Sequence, residues 1–319
     1  MRKIRNITAV CLLTGLVLSG CGRQSQITYE STRMETMAED MQENSQADSF
    51  AKNLCVVTGA EGEADASVTA EAAAVFGVDT KEVIFQKNPF ERLYPASITK
   101  IMTALIAIRD GNLSDMVTVG PETVITETGA SLAHINPGDT LTMEQLLYGL
   151  MLPSGNDAGA AIAVHMAGST EAFAEKMNET AHALGATDTH FVNPHGLSDE
   201  DHYTTAYDLY LIFNEALKYP EFQKIIGTVS YQAQYTDGTG QTKTQEWKNS
   251  NQYLNGKSKA PDGITVLGGK TGTTRAAGSC LILGSQDESG NDYISVVLKA
   301  ESRDVLYDNM TKIIGKIVN

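Results

Sequence analysis

The sequence predicts an α+β protein in which an antiparallel sheet is flanked by helices, with a helical subdomain built from the middle of the chain. Three observations predict it: two short β-branched and aromatic runs near residue 75, a long block of helical patterns after them, and a late block of strand patterns closed by one helix. The runs Ala74-Val75-Phe76-Gly77-Val78-Asp79 and Glu82-Val83-Ile84-Phe85, joined through Asp79-Thr80-Lys81, read as a hairpin. After Tyr94-Pro95-Ala96-Ser97, the residues Ile98, Ile101, Met102, Leu105 and Ile108 keep helical spacing until Gly111. Helical patterns recur over 143–151, 157–167, 171–184, 205–217 and 221–226. Strand patterns cover 228–235, 242–248, 263–269, 279–284 and 292–299, and a last helix covers 303–317. The first and last strands are expected to share one sheet.

The chain has 319 residues, 42% of them apolar, and a net charge of −15. That is too long for a disulfide miniprotein and too apolar for a disordered chain. The acidity, with no basic cluster, excludes a nucleic-acid partner. Residues 1–20 read as an export signal: Arg2, Lys3 and Arg5 precede an apolar run over 7–18, too short to span a bilayer comfortably. The segment ends in Leu18-Ser19-Gly20-Cys21, which resembles a bacterial lipoprotein signal and makes Cys21 the expected lipidation site and membrane anchor. From 21 to 71 the chain is polar, and between Gly22 and Glu71 ten acidic and three basic residues give −7. This reads as a flexible tether, interrupted by Leu54-Cys55-Val56-Val57 as a short strand that docks on the domain. The catalytic domain is expected over 72–319. Once Cys11 leaves with the signal and Cys21 carries lipid, Cys55 and Cys280 remain, either as a disulfide or as two thiols.

Three short motifs carry chemistry. In Ser97-Ile98-Thr99-Lys100 the spacing of three sets a hydroxyl and an amine on one helix face. A partly desolvated lysine there can take the serine proton, and the helix amino terminus offers N–H groups to an oxyanion. Ser154-Gly155-Asn156 stands in a break between two helices; its side chains suit either a helix cap or a second hydroxyl and an amide for a substrate. Lys270-Thr271-Gly272-Thr273-Thr274 ends a strand pattern, where Gly268, Gly269 and Gly272 let another backbone approach. It is not a phosphate loop, which would need glycine in place of Ile264.

In this order the motifs resemble the set of the penicillin-binding proteins and class A β-lactamases. The wider stretches Leu93-Tyr94-Pro95-Ala96-Ser97-Ile98-Thr99-Lys100-Ile101-Met102, Phe191-Val192-Asn193-Pro194-His195-Gly196-Leu197 and Asp201-His202-Tyr203-Thr204-Thr205-Ala206-Tyr207-Asp208 resemble the serine D-alanyl-D-alanine carboxypeptidases. The resemblance implies a β-lactamase/transpeptidase-like fold and a peptidoglycan stem peptide ending in D-Ala-D-Ala as substrate. It implies Ser97 as nucleophile, Lys100 as base, Ser154 in proton transfer, and Asn156, Lys270, Thr271, Gly272 and Thr273 as substrate contacts. The N–H groups of Ser97 and Thr273 would form the oxyanion hole, β-lactams would acylate Ser97, and no cofactor or metal is implied. Thr273 stands where relatives often carry a bulkier residue, and Arg275 reads as an exposed turn residue.

Rivals are a class A β-lactamase, which needs a Glu-x-x-Leu-Asn string that this chain lacks between Asn156 and Lys270, and a zinc peptidase suggested by His190, His195 and His202. The histidines form no His-x-x-x-His pair with an interposed Glu. A D,D-endopeptidase or transpeptidase shares the same acyl-enzyme, and a non-hydrolytic β-lactam-binding lipoprotein remains a separate reading.

Overall fold

A computed structural model of the chain describes residues 53–57 and 65–318. The expected signal over 1–20, Cys21 and most of the expected tether lie outside the described residues. The hairpin β1 (Ala72–Gly77) and β2 (Val83–Lys87) forms as its alternation predicts. A 3-10 turn over Ala96–Thr99 leads into α1 (Lys100–Asp110), followed by β3 (Met116–Thr118), β4 (Thr140–Thr142), α2 (Met143–Met151), α3 (Asn156–Ala167) and α4 (Thr170–Ala183). Next come α5 (Ala206–Ala216), α6 (Pro220–Gly227), β5 (Ser230–Thr236) and β6 (Thr242–Lys248). The chain closes with β7 (Ile264–Thr274), β8 (Gly278–Asp287), β9 (Asp292–Ala300) and α7 (Arg303–Gly315).

The main sheet runs β2-β1-β9-β8-β7, antiparallel throughout, so the two ends of the domain pair directly, with Ala74 opposite Val296. Both faces of this sheet are covered. Ala72, Ala74, Phe76, Ile294, Val296 and Leu298 point to the core that holds α1 and α5, while Ala73, Val75, Leu283 and Val297 meet Leu306, Met310 and Ile313 of α7. The period-two alternation thus separates two apolar layers rather than an inside from an outside, and every residue of β1 is buried. In α1 every residue from Lys100 to Ala107 is buried, as expected of a helix apolar on all sides that runs through a core. The nucleophile candidate therefore stands at the head of a helix whose first eight residues are buried.

A second sheet, β3-β4-β5-β6, goes beyond the expected architecture. Only β5 and β6 have legible patterns; β3 and β4 are three residues each and pair only through this fold. It matters to the site because Trp247 of β6 donates its indole N–H to the Ala133 carbonyl at 2.9 Å, fixing the segment that runs past Asn156.

Two expectations at the amino-terminal side need correction. The core reaches back beyond residue 72, since Val68 and Ala70 are buried against α7, with the Ala70 N–H bonded to Asn309. Residues 54–57 dock as expected but form no strand. Their fixed point is Cys55, whose N–H donates to the Tyr210 hydroxyl at 2.9 Å, whose carbonyl accepts from the Tyr207 hydroxyl at 2.8 Å, and whose thiol reaches the Gly77 carbonyl at 3.3 Å. Cys280 lies buried in β8, and both cysteines are free. Burial pushes both thiols up, that of Cys280 to about 12, so neither is a reactive thiolate at neutral pH. Native protein treated with iodoacetamide should keep both sites unlabelled, and guanidinium without reductant should expose both to full labelling by peptide mass. Protection that persists in guanidinium until a reductant is added would show a disulfide instead.

Candidate active site

The three motifs, spread over more than 170 positions, converge on one cleft. Ser97 sits in the 3-10 turn and Lys100 is the first residue of α1, which places the Lys100 amine 3.0 Å from Ser97 Oγ. The same amine lies 2.7 Å from Asn156 Oδ1 and 2.6 Å from the His195 carbonyl. Lys270, in β7, reaches Ser154 Oγ at 3.0 Å and the Thr271 carbonyl at 2.9 Å. Lys100 and Lys270 are 0% and 1% exposed, and among the described residues neither has a carboxylate in contact.

That burial determines their chemistry. Desolvation holds Lys100 well below the usual lysine range, and the neighbouring Lys270 charge depresses it further against a weaker pull from Asp157. Desolvation alone pushes Lys270 down to about 7. A neutral Lys100 has two N–H bonds and one lone pair. The Asn156 and His195 oxygens can only accept, so they take the two hydrogens and the lone pair is left facing the Ser97 hydroxyl, which then donates to it. This is the geometry of a base aimed at a nucleophile.

The strands and loops around the pair explain why the turn can hold Ser97 there. Ala96 has φ of +47°, a region that costs a non-glycine residue about 1–2 kcal/mol. Its carbonyl is backed by Gly196, where an added Cβ would fall 1.9 Å from that oxygen. On the opposite side Gly272 of β7 faces the same turn, an added Cβ there lying 3.0 Å from the Ser97 nitrogen. The glycine face expected of β7 therefore admits the nucleophile turn itself. The strand also runs on through Thr274, so the Lys-Thr-Gly motif lies within β7 and not past its end. β7 is an edge strand, with β8 as its only described neighbour, and a register shift between Val266 and Gly268 bends it beside the cleft.

Ser154 and Asn156 are not helix caps. Gly155 is the N-cap of α3 and makes no side-chain cap bond; the neighbouring side chains are drawn instead to Lys270 and Lys100, with Ser154 held at φ of +66°. Thr271 accepts or donates a hydroxyl bond with Ser250 at 2.7 Å, and Thr273 is exposed at the mouth of the cleft, as is Arg275 in the following turn. Three residues without a motif also belong to the surroundings. Asp157 accepts N–H bonds from Ala133 and Ile135 and so ties down the segment whose Ser131 carbonyl takes the Asn156 N–H. His195 contributes its carbonyl, and Ser250 braces Thr271. His190, His195 and His202 do not converge, and among the described residues no cluster of three His, Cys, Asp or Glu side chains could hold a metal.

Ser97, Lys100, Ser154, Asn156 and Lys270 thus meet in one cleft, and the chain that builds it has known relatives. Residues 59–302 match the family model Peptidase S11, D-alanyl-D-alanine carboxypeptidase. The chain belongs to that family. The match agrees with the resemblance that the three motifs and their flanking stretches carry. The D-alanyl-D-alanine carboxypeptidase of Streptomyces sp. strain K15 is 33% identical over 247 residues, 74% of this chain and 82% of the relative. The carboxypeptidase DacF of Bacillus subtilis is 40% identical over 162 residues, of which this chain spans only 42% of the relative's length. Among solved structures, the Streptomyces K15 DD-transpeptidase superposes with a TM-score of 0.72 at 33% identity, covering 78% of this chain and 97% of that one. The α+β sheet-and-helix architecture is that of this penicillin-binding fold.

The depressed lysines also have a thermodynamic signature. Lys270 titrates near 7 when folded against an ordinary value near 10.5, so between those limits the unfolded state binds more protons and stability rises with pH. The contribution is complete above about pH 10.5 and is progressively lost down to about pH 7. Lys270→Met should therefore stabilise the fold at pH 7 by about 2–4 kcal/mol in urea titrations, a gain that shrinks toward pH 10. A difference between variant and wild type that does not change with pH would contradict the depressed value.

Proposed function

We propose that this chain removes the terminal D-Ala from peptidoglycan stem peptides through an acyl-enzyme on Ser97. The observation that carries the reading is the buried Lys100 amine, 3.0 Å from Ser97 Oγ, 2.7 Å from Asn156 Oδ1 and 2.6 Å from the His195 carbonyl, with desolvation holding it well below the usual lysine range. Ser97 Oγ attacks the penultimate carbonyl carbon and its proton passes to Lys100. The developing oxyanion lies between the N–H groups of Ser97 and Thr273, which the close approach of Gly272 to the Ser97 nitrogen makes compatible. The C–N bond then breaks, and the departing D-Ala amine takes up, through Ser154, the proton that Lys100 received from Ser97. Water then attacks the ester carbon and gives a proton to the neutral Lys100, the bond from that carbon to Ser97 Oγ breaks, and the proton returns to Oγ.

Substrate contacts follow from the same cleft. Asn156 Oδ1 is occupied by Lys100, which orients the amide so that Nδ2 is the donor for a peptide carbonyl. Lys270, Thr271, Gly272 and Thr273 lie along an edge strand, where an extended peptide can add by backbone pairing and present its terminal carboxylate to a cation and hydroxyls. Penicillin, an acyl-D-Ala-D-Ala mimic, would acylate Ser97 and leave slowly. Likeness to the Streptomyces K15 DD-transpeptidase favours a second reading, in which an amine replaces water as acceptor of the same acyl group.

Membrane attachment through lipid on Cys21 completes the proposal. It rests on the charged, apolar and small-residue order of residues 1–21, and among the described residues no helix is long and apolar enough to cross a membrane. The acidic segment after Cys21 would then link the lipid to a catalytic domain outside the cytoplasm.

Fluorescent penicillin should label the wild-type protein at Ser97, and a D-Ala-D-Ala-terminated peptide should yield free D-Ala, both lost in Ser97→Ala by at least about 1,000-fold. Label retained in that variant would remove Ser97 from the mechanism, and an added D-amino acid appearing in the product would favour transpeptidation. Expressed in a bacterium fed an alkyne-tagged palmitate, the full chain should carry the tag and sediment with membranes. Cys21→Ala should abolish the tag; a tag that survives would refute lipidation at Cys21.

A further inference from the structure

Outside the three motifs, one buried histidine is wired into the nucleophile turn by a single directed chain of hydrogen bonds. His202 is 1% exposed, and its ring nitrogens have one partner each: the Val192 N–H donates to Nδ1 at 3.1 Å, and Nε2 lies 2.8 Å from Thr99 Oγ1. The Thr99 hydroxyl in turn donates to the Ala96 carbonyl at 2.8 Å. These contacts fix every proton. Because Nδ1 accepts from Val192, it carries no hydrogen; because the Thr99 hydrogen goes to Ala96, its oxygen must accept from His202, so Nε2 carries the proton. Burial holds the ring down to about 4, in keeping with a neutral imidazole of that one tautomer.

The end of the chain is what matters. The Ala96 carbonyl belongs to the same planar peptide unit as the Ser97 N–H, so fixing the direction of one fixes the other. A hydrogen bond accepted by the carbonyl also polarises the N–H at the far end of that unit. The peptide needs such a hold, because Ala96 stands at positive φ and only the Thr99 hydroxyl donates to its oxygen from a side chain, with Gly196 closing the space behind it.

We propose that His202, acting through Thr99, is a positioning residue that orients and polarises the Ser97 N–H as an oxyanion donor. This rests on the reading of Ser97 as the acylated nucleophile. Its effect falls on the acylation step and not on the binding of the acyl donor, since neither side chain faces the cleft edge along β7. His202→Gln keeps a donor at the reach of Nε2, whereas His202→Ala does not; Thr99→Val removes the link while preserving shape, and Thr99→Ser preserves it.

The test is the kinetics of acylation by fluorescent penicillin in the full-length protein, separating the limiting rate from the half-saturating concentration, with thermal melts to confirm folding. Wild type must label first; failure there would overturn the nucleophile reading itself and not this inference. In His202→Ala and in Thr99→Val the limiting rate should fall about 10–100-fold with half-saturation unchanged, the scale expected when a reacting group is misplaced by about an ångström. His202→Gln and Thr99→Ser should stay within about threefold of wild type, and His202→Ala with Thr99→Val should be no slower than the worse single variant. Wild-type limiting rates in folded Thr99→Val, multiplying effects in the double variant, or a His202→Gln as slow as His202→Ala would each overturn the relay. Should His202→Ala not fold, the two Thr99 variants and His202→Gln decide the matter.

Discussion

Two lysine side chains held out of water without a carboxylate in contact set the terms for the rest of the site. An ammonium group so enclosed either gives up its proton or finds oxygen atoms already in position, and this domain provides oxygen for both: Asn156 and His195 around Lys100, Ser154 and Thr271 around Lys270. Those partners come from three parts of the chain, the 154–156 segment, the 193–197 loop and β7, and each is itself fixed. Asn156 begins a helix behind a left-handed Ser154, His195 lies on a loop stitched to α1 by the Thr103 hydroxyl on the Pro194 carbonyl, and Thr271 is braced by Ser250. The desolvation that depresses Lys100 is thus a product of the whole packing of α1, α3, β7 and the 193–197 loop. No single neighbour supplies it.

The glycines near the turn serve that enclosure. Gly196 and Gly272 both lie against the same 3-10 turn: a methyl group at Gly196 would collide with the Ala96 carbonyl, and one at Gly272 would sit tightly at 3.0 Å from the Ser97 nitrogen. Backbone therefore replaces side chain at the two places where the turn must be gripped. This lets Ala96 be held at positive φ while Ser97 still faces the open edge of β7.

Much of this is legible in the residues themselves. Helix α2 and strand β6 have the bounds their patterns predict, and Ser97 and Lys100 meet because a spacing of three positions sets them on one side of a helical turn. What periodicity cannot carry is pairing at a distance. β3 and β4 are too short to show a pattern and exist only because β5 and β6 complete their sheet. Ser154 and Asn156 suit capping equally well on spacing alone, because their actual partners lie 116 and 56 positions away. His202 stands out in the sequence as a candidate metal ligand, yet its contact is with a threonine 103 positions earlier. The tether boundary shifts for a related reason: Leu54-Cys55-Val56-Val57 is one short apolar run in a polar stretch, and contacts with distant residues, Tyr207 and Tyr210 through the Cys55 backbone and Gly77 through its thiol, make it part of the domain.

That docking of residues 53–57 involves no covalent bond. It is held by a buried thiol and two phenol hydroxyls, and Cys280 is likewise unpaired in its strand. The described domain accordingly has no oxidation step in its assembly and nothing for a reductant to cut. Its native state is the same polymer of peptide bonds in an oxidising medium as in a reducing one, so the choice of host compartment for producing it is free of any demand for thiol chemistry.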